Sequence, residues 1–282
     1  YKRQVNVMRH GILNGNGEYV EPSVGTILHK QTRLDDHALR AQPEATIFEH
    51  RQTPHLFGLG LIDSIPESVI IAGADPDDTL SADGITGRVS WTDDGRVGRF
   101  GWKAQVPSVA EFVRDGVTVE LGMTLDHAEG LTFGHIQDND DVADPEYLTD
   151  EAELLGRYLT LLGPPPRQDG DADEIAAGEE AFETLGCAGC HTPSLEGEDG
   201  PVPLYSDLLL HDFLPEGAVG IEEASASMRE FRTQPLWGVS QTAPYLHDGS
   251  ADTLTQAIEG HDGEAAASRD AFEAADTTTR AM

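Results

Sequence analysis

Two cysteines and a histidine form the stretch of this 282-residue chain with the most specific chemistry: Cys187-Ala-Gly-Cys190-His191. Two thiols at this spacing can each add to one vinyl group of a porphyrin, and the adjacent imidazole then lies beneath the iron as its proximal ligand. A redox-active CxxC pair or half of a zinc site is the alternative. Zinc needs four ligands, and the chain has no third cysteine. A redox-active CxxC pair normally follows a strand, and no strand signal precedes Cys187. The motif therefore predicts covalently attached haem c.

The chain is strongly negative, because its 51 acidic residues outnumber its 18 basic ones and give a net charge of −33. Only three of the basic residues are lysines, Lys2, Lys30 and Lys103. The acid is spread over the whole chain, which favours a surface adapted to high salt over a patch that steers a cationic redox partner. Such a charge repels phosphates, so we expect no binding to nucleic acid.

The setting of the protein is predicted from the motif and from hydropathy. No apolar run reaches the ~20 residues that a membrane-spanning helix needs, so we do not expect the chain to span a membrane. The motif uses both cysteines, which leaves none for a disulfide. Haem is attached to such motifs outside the cytoplasm, so a periplasmic or other extracytoplasmic location is expected. The chain begins at Tyr1 without a signal peptide, as a mature or truncated chain would.

Helical patterns place the motif. Residues 173–185 form an amphipathic segment that predicts a helix leading directly into Cys187. Further helices are predicted at 151–162, capped by Thr149 or Asp150, at 254–261, and after Pro107. The helix after Pro107 has an apolar face formed by Val109, Phe112, Val113 and Val117. The 151–162 helix has one formed by Leu154, Leu155, Tyr158 and Leu162.

The rest of the first half gives weaker signals. Residues 1–24 are rich in glycine and asparagine and predict a loop, and Asp94-Gly95 between short alternating runs predicts a β-hairpin. Residues 51–65 predict a buried helix or turn-helix, with Gly58 and Gly60 permitting close approach. Four scattered histidines receive no role: His10, His29, His37 and His50. The proline-rich stretch after Leu162 predicts a linker at 164–171 between domains at 1–163 and 172–282.

Several longer motifs resemble the di-haem cytochrome c peroxidase superfamily, and within it the branch called di-haem oxidoreductase or thiol oxidoreductase. The resemblance covers roughly residues 50–275. The matching segments are Arg51-Gln-Thr-Pro-His-Leu-Phe-Gly-Leu-Gly-Leu61, Gly98-Arg-Phe-Gly-Trp-Lys-Ala104, Cys187-Ala-Gly-Cys-His-Thr-Pro193, Tyr205-Ser-Asp-Leu-Leu-Leu-His-Asp212, Glu230-Phe-Arg-Thr-Gln-Pro-Leu-Trp-Gly238 and Tyr245-Leu-His-Asp-Gly249.

This resemblance implies a fold and a second cofactor. The expected fold is mainly α, with two cytochrome c-like domains, long loops and a short β-hairpin, and the C-terminal domain carries the haem. Members of the superfamily carry another CxxCH motif in the N-terminal domain, upstream of the Arg-x-x-Pro segment. That motif is absent from this sequence, so either the chain is truncated and a second haem is expected upstream, which is the simpler account, or the protein has lost that haem.

The resemblance also implies the second axial ligand. In the peroxidases a methionine fourteen residues after the histidine of Tyr-x-His-Asp-Gly binds the electron-transfer haem. Counted from His247, that position is His261, so the predicted ligands of the iron are His191 and His261. Met228 is the competing sixth ligand. Two imidazoles favour ferric iron more than an imidazole and a thioether do, which implies a lower reduction potential. His211 and His247 are expected to be structural or to support the ligands.

Two residues of the first half acquire catalytic roles by resemblance. Trp102 matches the tryptophan that lies between the two haems in the superfamily, and is therefore the predicted electron relay; a core aromatic is the alternative. Glu120 lies in a segment that resembles the one bearing the distal glutamate of the peroxidatic haem. It is the predicted group that moves a proton between peroxide oxygens, and a surface carboxylate is the alternative.

A calcium ion between the domains is a further implication. Its ligands in the peroxidases fall on Gln52, whose amide oxygen replaces that of an asparagine, and on the main chain at Thr242 and Pro244.

Two functions remain open at this point. The first is a di-haem, peroxidase-like oxidoreductase in which electrons enter at the C-terminal haem, supplied by a small redox protein or a quinone-linked donor. The second is a mono-haem electron carrier without turnover.

Overall fold

The computed structural model describes residues 7–23, 25–28, 44–134 and 142–281. Among them the strands are β1 (Val7–Leu13), β2 (Tyr19–Val20), β3 (Ile27–Leu28), β4 (Ile47–Arg51), β5 (Leu195–Gly197), β6 (Gly200–Val202), β7 (Leu210–Asp212) and β8 (Glu230–Arg232). The α-helices are α1 (Leu59–Asp63), α2 (Glu67–Ala72), α3 (Val109–Asp115), α4 (Thr149–Leu161), α5 (Ala172–Thr184), α6 (Leu254–Glu259), α7 (Ala266–Ala274) and α8 (Thr277–Ala281). His29 and His37 lie outside the described residues.

A four-stranded antiparallel sheet forms the N-terminal region, which corrects the prediction of a loop there. β1 pairs with β2, β3 and β4, and Met8 pairs with both Leu28 and His50, so β3 and β4 flank β1 on opposite edges. Two further pairs, β5 with β6 and β7 with β8, follow in the second half. The fold is therefore mixed rather than mainly α.

Strand β4 was not predicted because charged side chains lie on its buried face and an apolar side chain lies on its exposed face. Glu49 and Arg51 point inward and are buried, whereas Phe48 points outward and is exposed. Hydrophobic alternation identifies a strand only when its apolar face is the buried one. Here ion pairs cover the inner face, because Arg51 bonds both Glu49 and Glu223.

Helix α3 is confirmed, and it begins where the sequence indicates. Ser108 is the N-cap, and its hydroxyl accepts a hydrogen bond from the Glu111 N–H at 3.3 Å. The helix continues as a π-helical turn, Gly116–Glu120. The turn at Asp94-Gly95 is also confirmed, since Thr92 N–H donates to the Arg96 carbonyl at 3.0 Å and Trp91 bridges Val97.

Helix α4 forms, but only part of its predicted apolar stripe packs inward, with Leu155 against the core. Leu154 and Tyr158 are 65% and 60% exposed. The buried residues are instead Ala152, Gly156 and Leu159. Small side chains let α4 approach α1 closely: a Cβ on Gly60 would lie 2.1 Å from the Thr160 carbonyl oxygen. The N-cap is Leu148, one residue before the predicted Thr149.

One apolar core takes residues from both sides of the predicted linker. It joins α1–α4 to the segment after β6. Its most deeply buried members are Ile62, Ile65, Ile70, Val97, Phe100, Val106, Leu125, Leu204, Leu208 and Leu209. Main-chain pairing also crosses the halves, with Arg88 bridging Leu210. The division at 164–171 thus remains a prediction, and packing joins the residues on either side of it.

Candidate functional site

Helix α5 delivers the chain into the CxxCH motif. The Asp171 carboxylate caps it, accepting from Asp173 N–H at 2.9 Å, which confirms the predicted start within a residue. Gly186 then adopts φ +81°, a left-handed conformation that favours glycine and turns the chain at once into the 3₁₀ turn Cys187–Gly189. The His191 N–H closes the motif onto the Cys187 carbonyl at 2.9 Å.

His191 is held in the tautomer that a metal ligand needs. Its Nδ1 lies 2.9 Å from the main-chain oxygen of Tyr205, which can only accept, so Nδ1 carries the proton and the Nε2 lone pair is free to bind. The ring of Phe182, from α5, packs edge-on against both His191 and Tyr205, at 6.4 and 5.7 Å between centroids. Burial lowers the pKa of His191 to about 4, so the ring is neutral at pH 7.

His261 is held in the same way from the other end of the domain. It follows α6, and its Nδ1 donates to the Ala257 carbonyl at 2.7 Å, which again frees Nε2. Burial lowers its pKa, so this ring too is neutral at pH 7. A positive charge on His261 would also lower the pKa of His191, after burial.

Tight contacts fix the segment after His261. Gly263 has φ +54°, and a Cβ there would lie 2.2 Å from the Asp212 carbonyl oxygen at the end of β7. Asp262 N–H donates to the Phe213 carbonyl at 2.9 Å, and the Phe213 ring lies 5.6 Å from that of His261. The fold therefore anchors His261 on β7, far along the sequence from the motif.

The two thiols are free and half-buried, and burial raises the pKa of both. Cys190 Sγ lies 3.6 Å from His211 Nδ1. His211, 5% exposed, also contacts Asp207 at 2.7 Å through Nε2 and Glu264 at 3.1 Å through Nδ1. Burial opposes a charged ring, but the hydrogen bonds to Asp207, Cys190 and Glu264 outweigh it and hold the pKa of His211 well above its usual value. A buried imidazolium, clamped by two carboxylates, thus stands beside the motif.

The residues present fit a haem c. Two thiols have the attachment spacing, and two neutral imidazoles offer Nε2. The described helices α5 and α6 and the Cys187–Gly189 turn bury none of their own side chains, so their apolar residues are available to cover a large planar ring.

Trp102 connects to this site through a column of rings that the sequence did not reveal. Its Nε1–H donates to the Gln52 carbonyl at 2.6 Å, and its ring meets His247 edge-on at 6.3 Å. His247 lies 6.1 Å from Phe213, which contacts His261. The structure thus brings Trp102 and His261 into one series of adjacent aromatic rings.

The two remaining candidates are Glu120 and Met228. Glu120 ends the π-helical turn after α3 and is exposed. Its negative charge affects the pKa of Asp115, which rises to about 7 through burial and through the charges of Glu223 and Glu120. The Met228 main-chain oxygen accepts from Lys103 Nζ at 2.9 Å, in the segment before β8. A role for Glu120 as the proton-transfer group remains a prediction.

The predicted calcium ligands meet one another. The Gln52 amide nitrogen donates to the Pro244 carbonyl at 2.9 Å, and the Gln52 N–H donates to the His247 carbonyl at 2.7 Å. Gln52 thereby fastens the end of β4 to the 244–249 loop, and the calcium site remains a prediction. Among the described residues no cluster of three or more His, Cys, Asp or Glu could hold a metal ion.

Comparisons with known proteins come from three sources. Among curated protein sequences, none matches this chain. One solved structure, of a MauG-like protein associated with microbial copper homeostasis, shares 17% identity over 72% of this chain and 73% of that one, with a TM-score of 0.35. Another, hydrazine synthase of Kuenenia stuttgartiensis, shares 18% identity over 87% of this chain and all of that one, with a TM-score of 0.31. TM-scores this low do not establish a common fold.

The family of the chain is shown by a match over most of its length. The family model described as "Di-haem oxidoreductase, putative peroxidase" matches residues 42–282, most of the chain and its CxxCH motif. The chain therefore belongs to the di-haem oxidoreductase family.

Proposed function

We propose that this chain transfers electrons through a haem c attached to Cys187 and Cys190, as part of a di-haem, peroxidase-like oxidoreductase that electrons enter at this haem. The observation that carries the proposal is the pair His191 and His261. Each ring donates Nδ1–H to a main-chain oxygen, at 2.9 and 2.7 Å, and each therefore presents Nε2.

Bound haem c supplies a one-electron couple, and the chain's own residues set its conditions. Cys187 and Cys190 would hold the ring covalently, and His191 and His261 would bind its iron through Nε2. Both imidazoles are ready to bind at pH 7 because burial lowers their pKa values. Two imidazoles, rather than an imidazole and a thioether, favour a low reduction potential.

The ring column supports Trp102 as the electron relay. His261 touches Phe213, Phe213 touches His247, and His247 touches Trp102, with centroid separations of 5.6, 6.1 and 6.3 Å. Each step is short, and the column ends in the half of the chain where the superfamily places its second haem. That second haem, on an upstream CxxCH motif, is part of the proposal.

The partner and the location follow from the same chemistry. A small redox protein or a quinone-linked donor supplies the electrons, and the protein works in the periplasm or another extracytoplasmic space, where haem is attached to CxxCH motifs. In the described part of the chain, helices are too short or too polar to cross a bilayer.

A haem count tests the enzyme against the mono-haem carrier. Two haems per molecule of the natural protein, with hydrogen peroxide consumed at the expense of a reduced donor, would support the oxidoreductase. One haem per molecule and no peroxide turnover would leave the electron carrier as the function.

Substitution of tryptophan tests the relay. Trp102→Phe should slow peroxide-dependent oxidation of the donor while leaving the spectrum of the haem at Cys187 unchanged. Trp91→Phe is the matched control, because Trp91 is 43% exposed and lies outside the ring column. Equal rates for the two variants would remove Trp102 from the path.

A further inference from the structure

Lys103, the residue after the predicted relay, is completely buried, with 0% of its surface exposed. Its ammonium group donates to the main-chain oxygens of Ser227 and Met228, at 2.8 and 2.9 Å. It also lies over the ring of Phe231, 3.7 Å from the centroid. An ammonium has three N–H donors and no acceptor, and here it has three acceptors, counting the π face. Each N–H of the charged side chain thus has a partner in the pocket.

The ring beneath the ammonium belongs to the aromatic cluster around the relay. Phe231 packs on His247 with 4.3 Å between centroids and a 33° tilt, which is the closest ring pair of that cluster. His247 in turn meets Trp102 edge-on. Trp102 is tied to the same strand, because Arg232 N–H donates to the Trp102 carbonyl at 2.8 Å. Lys103 and Trp102 therefore hold β8 from adjacent positions.

We propose that Lys103 is a positioning residue: its ammonium clamps Phe231 against His247 and thereby fixes His247 against Trp102, and the clamp loosens when Lys103 loses its charge. The clamp stands on these contacts alone, and only its consequence for electron transfer rests on the proposed function. Loss of the charge removes one N–H donor and the cation–π contact together.

The charge is poised to change near neutral pH. Burial lowers the pKa of Lys103 to about 7; Arg51, on β4, lowers it further, while Glu49 on β4, Glu223, and Glu230 on β8 oppose the shift. His247 faces the same cluster, and its pKa is lowered, first by burial and then by Arg51 and Lys103, with Asp248 and Glu49 opposing. Burial thus lowers the pKa of both groups.

Nuclear magnetic resonance of the haem-loaded, reduced protein tests the clamp directly. The chain has three lysines, so selective labelling gives few signals, and Lys103→Met identifies the one from Lys103. We expect that signal to titrate near pH 7, about three units below an ordinary lysine, whose pKa is about 10.4. The ring signals of His247, identified with His247→Gln, should shift with the same midpoint.

Matched variants separate charge from packing. Lys103→Met should keep the His247 signals at their high-pH positions throughout, whereas Lys103→Arg, which stays charged, should keep them at their low-pH positions. Denaturant unfolding adds a readout free of spectral assignment: the midpoint of the wild type should rise between pH 7 and 10 relative to Lys103→Met. An ordinary pKa for Lys103, or His247 signals and unfolding midpoints indifferent to its titration, would overturn the proposal.

The failure of this inference and that of the proposed function are distinguishable. If Trp102→Phe leaves donor oxidation unchanged while His247 follows Lys103, the relay is wrong and the clamp stands. If Trp102→Phe slows oxidation and Lys103 titrates normally, the relay stands and the clamp is wrong.

Discussion

Glu223→Gln should be strongly destabilising for so conservative a substitution, because Glu223 pairs with buried arginines of the N-terminal sheet. The Glu223 carboxylate bonds both Arg9, on β1, and Arg51, on β4, which are 5% and 3% exposed. It thereby holds the sheet against the segment that leads to β8. Burial opposes its ionisation, but Arg51 and Arg9 outweigh burial and lower the pKa of Glu223. The carboxylate is therefore charged at pH 7, and the amide would remove it from the buried Arg9 guanidinium and leave Arg51 with Glu49 alone.

The expected loss of stability follows from the broken pairing of these buried charges. Removal of one partner from a buried ion pair costs about 3–5 kcal/mol. A domain of ordinary stability has about 5–15 kcal/mol in total, so the loss should be obvious in urea unfolding. Glu222→Gln is the matched control, since Glu222 is adjacent and only partly buried, and it should change stability by less than about 0.5 kcal/mol.

A second substitution checks the physical reason. Replacing Arg9 by methionine in the Glu223→Gln background removes the buried charge that lost its partner, while Arg51 keeps Glu49, so much of the stability should return. The reasoning would be refuted if Glu223→Gln cost no more than Glu222→Gln, or if the double variant were less stable than the single one.

Three further predictions concern attachment, salt and pH. Cys187→Ala or Cys190→Ala should leave haem that acid acetone removes in part or whole, whereas the wild-type chain should stay stained on denaturing gels; loss of wild-type haem to acid acetone would contradict covalent attachment. The melting temperature should climb between about 0.01 M salt, where the Debye length is ~30 Å, and molar salt, because the charge of −33 repels itself; a flat dependence would favour the partner-steering surface. Burial raises the pKa of Glu264, but hydrogen bonds from His211 and Thr86 outweigh it and lower that pKa to about 2. The contribution of Glu264 to the stability of the fold should therefore be complete above its usual pKa of 4.5 and vanish as the pH falls towards 2. Glu264→Gln should abolish that slope, and an unchanged acid limb of the stability curve would exclude this role.

Local signals in the sequence were enough for the elements around the motif. The apolar pattern before Cys187 predicted α5 within a residue, and Asp94-Gly95 predicted its turn, because helical periodicity and turn residues act over a few positions. The covalent spacing alone identified His191. His261 could be proposed only through the family resemblance, since no local pattern joins it to a motif seventy residues earlier.

What the sequence could not supply depends on contacts between distant segments. The buried face of β4 carries Glu49 and Arg51 because Glu223, far along the chain, pairs with Arg51, and the local sequence did not predict this strand. Lys103 is buried only because the Ser227 and Met228 carbonyls and the Phe231 ring receive its ammonium. Helix α4 turns Leu154 and Tyr158 outward because Gly156 lies on its packed face. No window of local sequence contains these partners.

The most direct measurement is the spectroscopy of the axial ligands in wild type and in substitutions of His261. With His191 and His261 as ligands, the ferric wild-type protein should be low-spin and lack the weak charge-transfer band of sulfur ligation at long wavelength. His261→Ala should give high-spin iron, and His261→Met should introduce the sulfur band and raise the reduction potential. If His261→Ala stays low-spin with an unchanged spectrum, His261 is not the ligand, and Met228 is the next residue to replace.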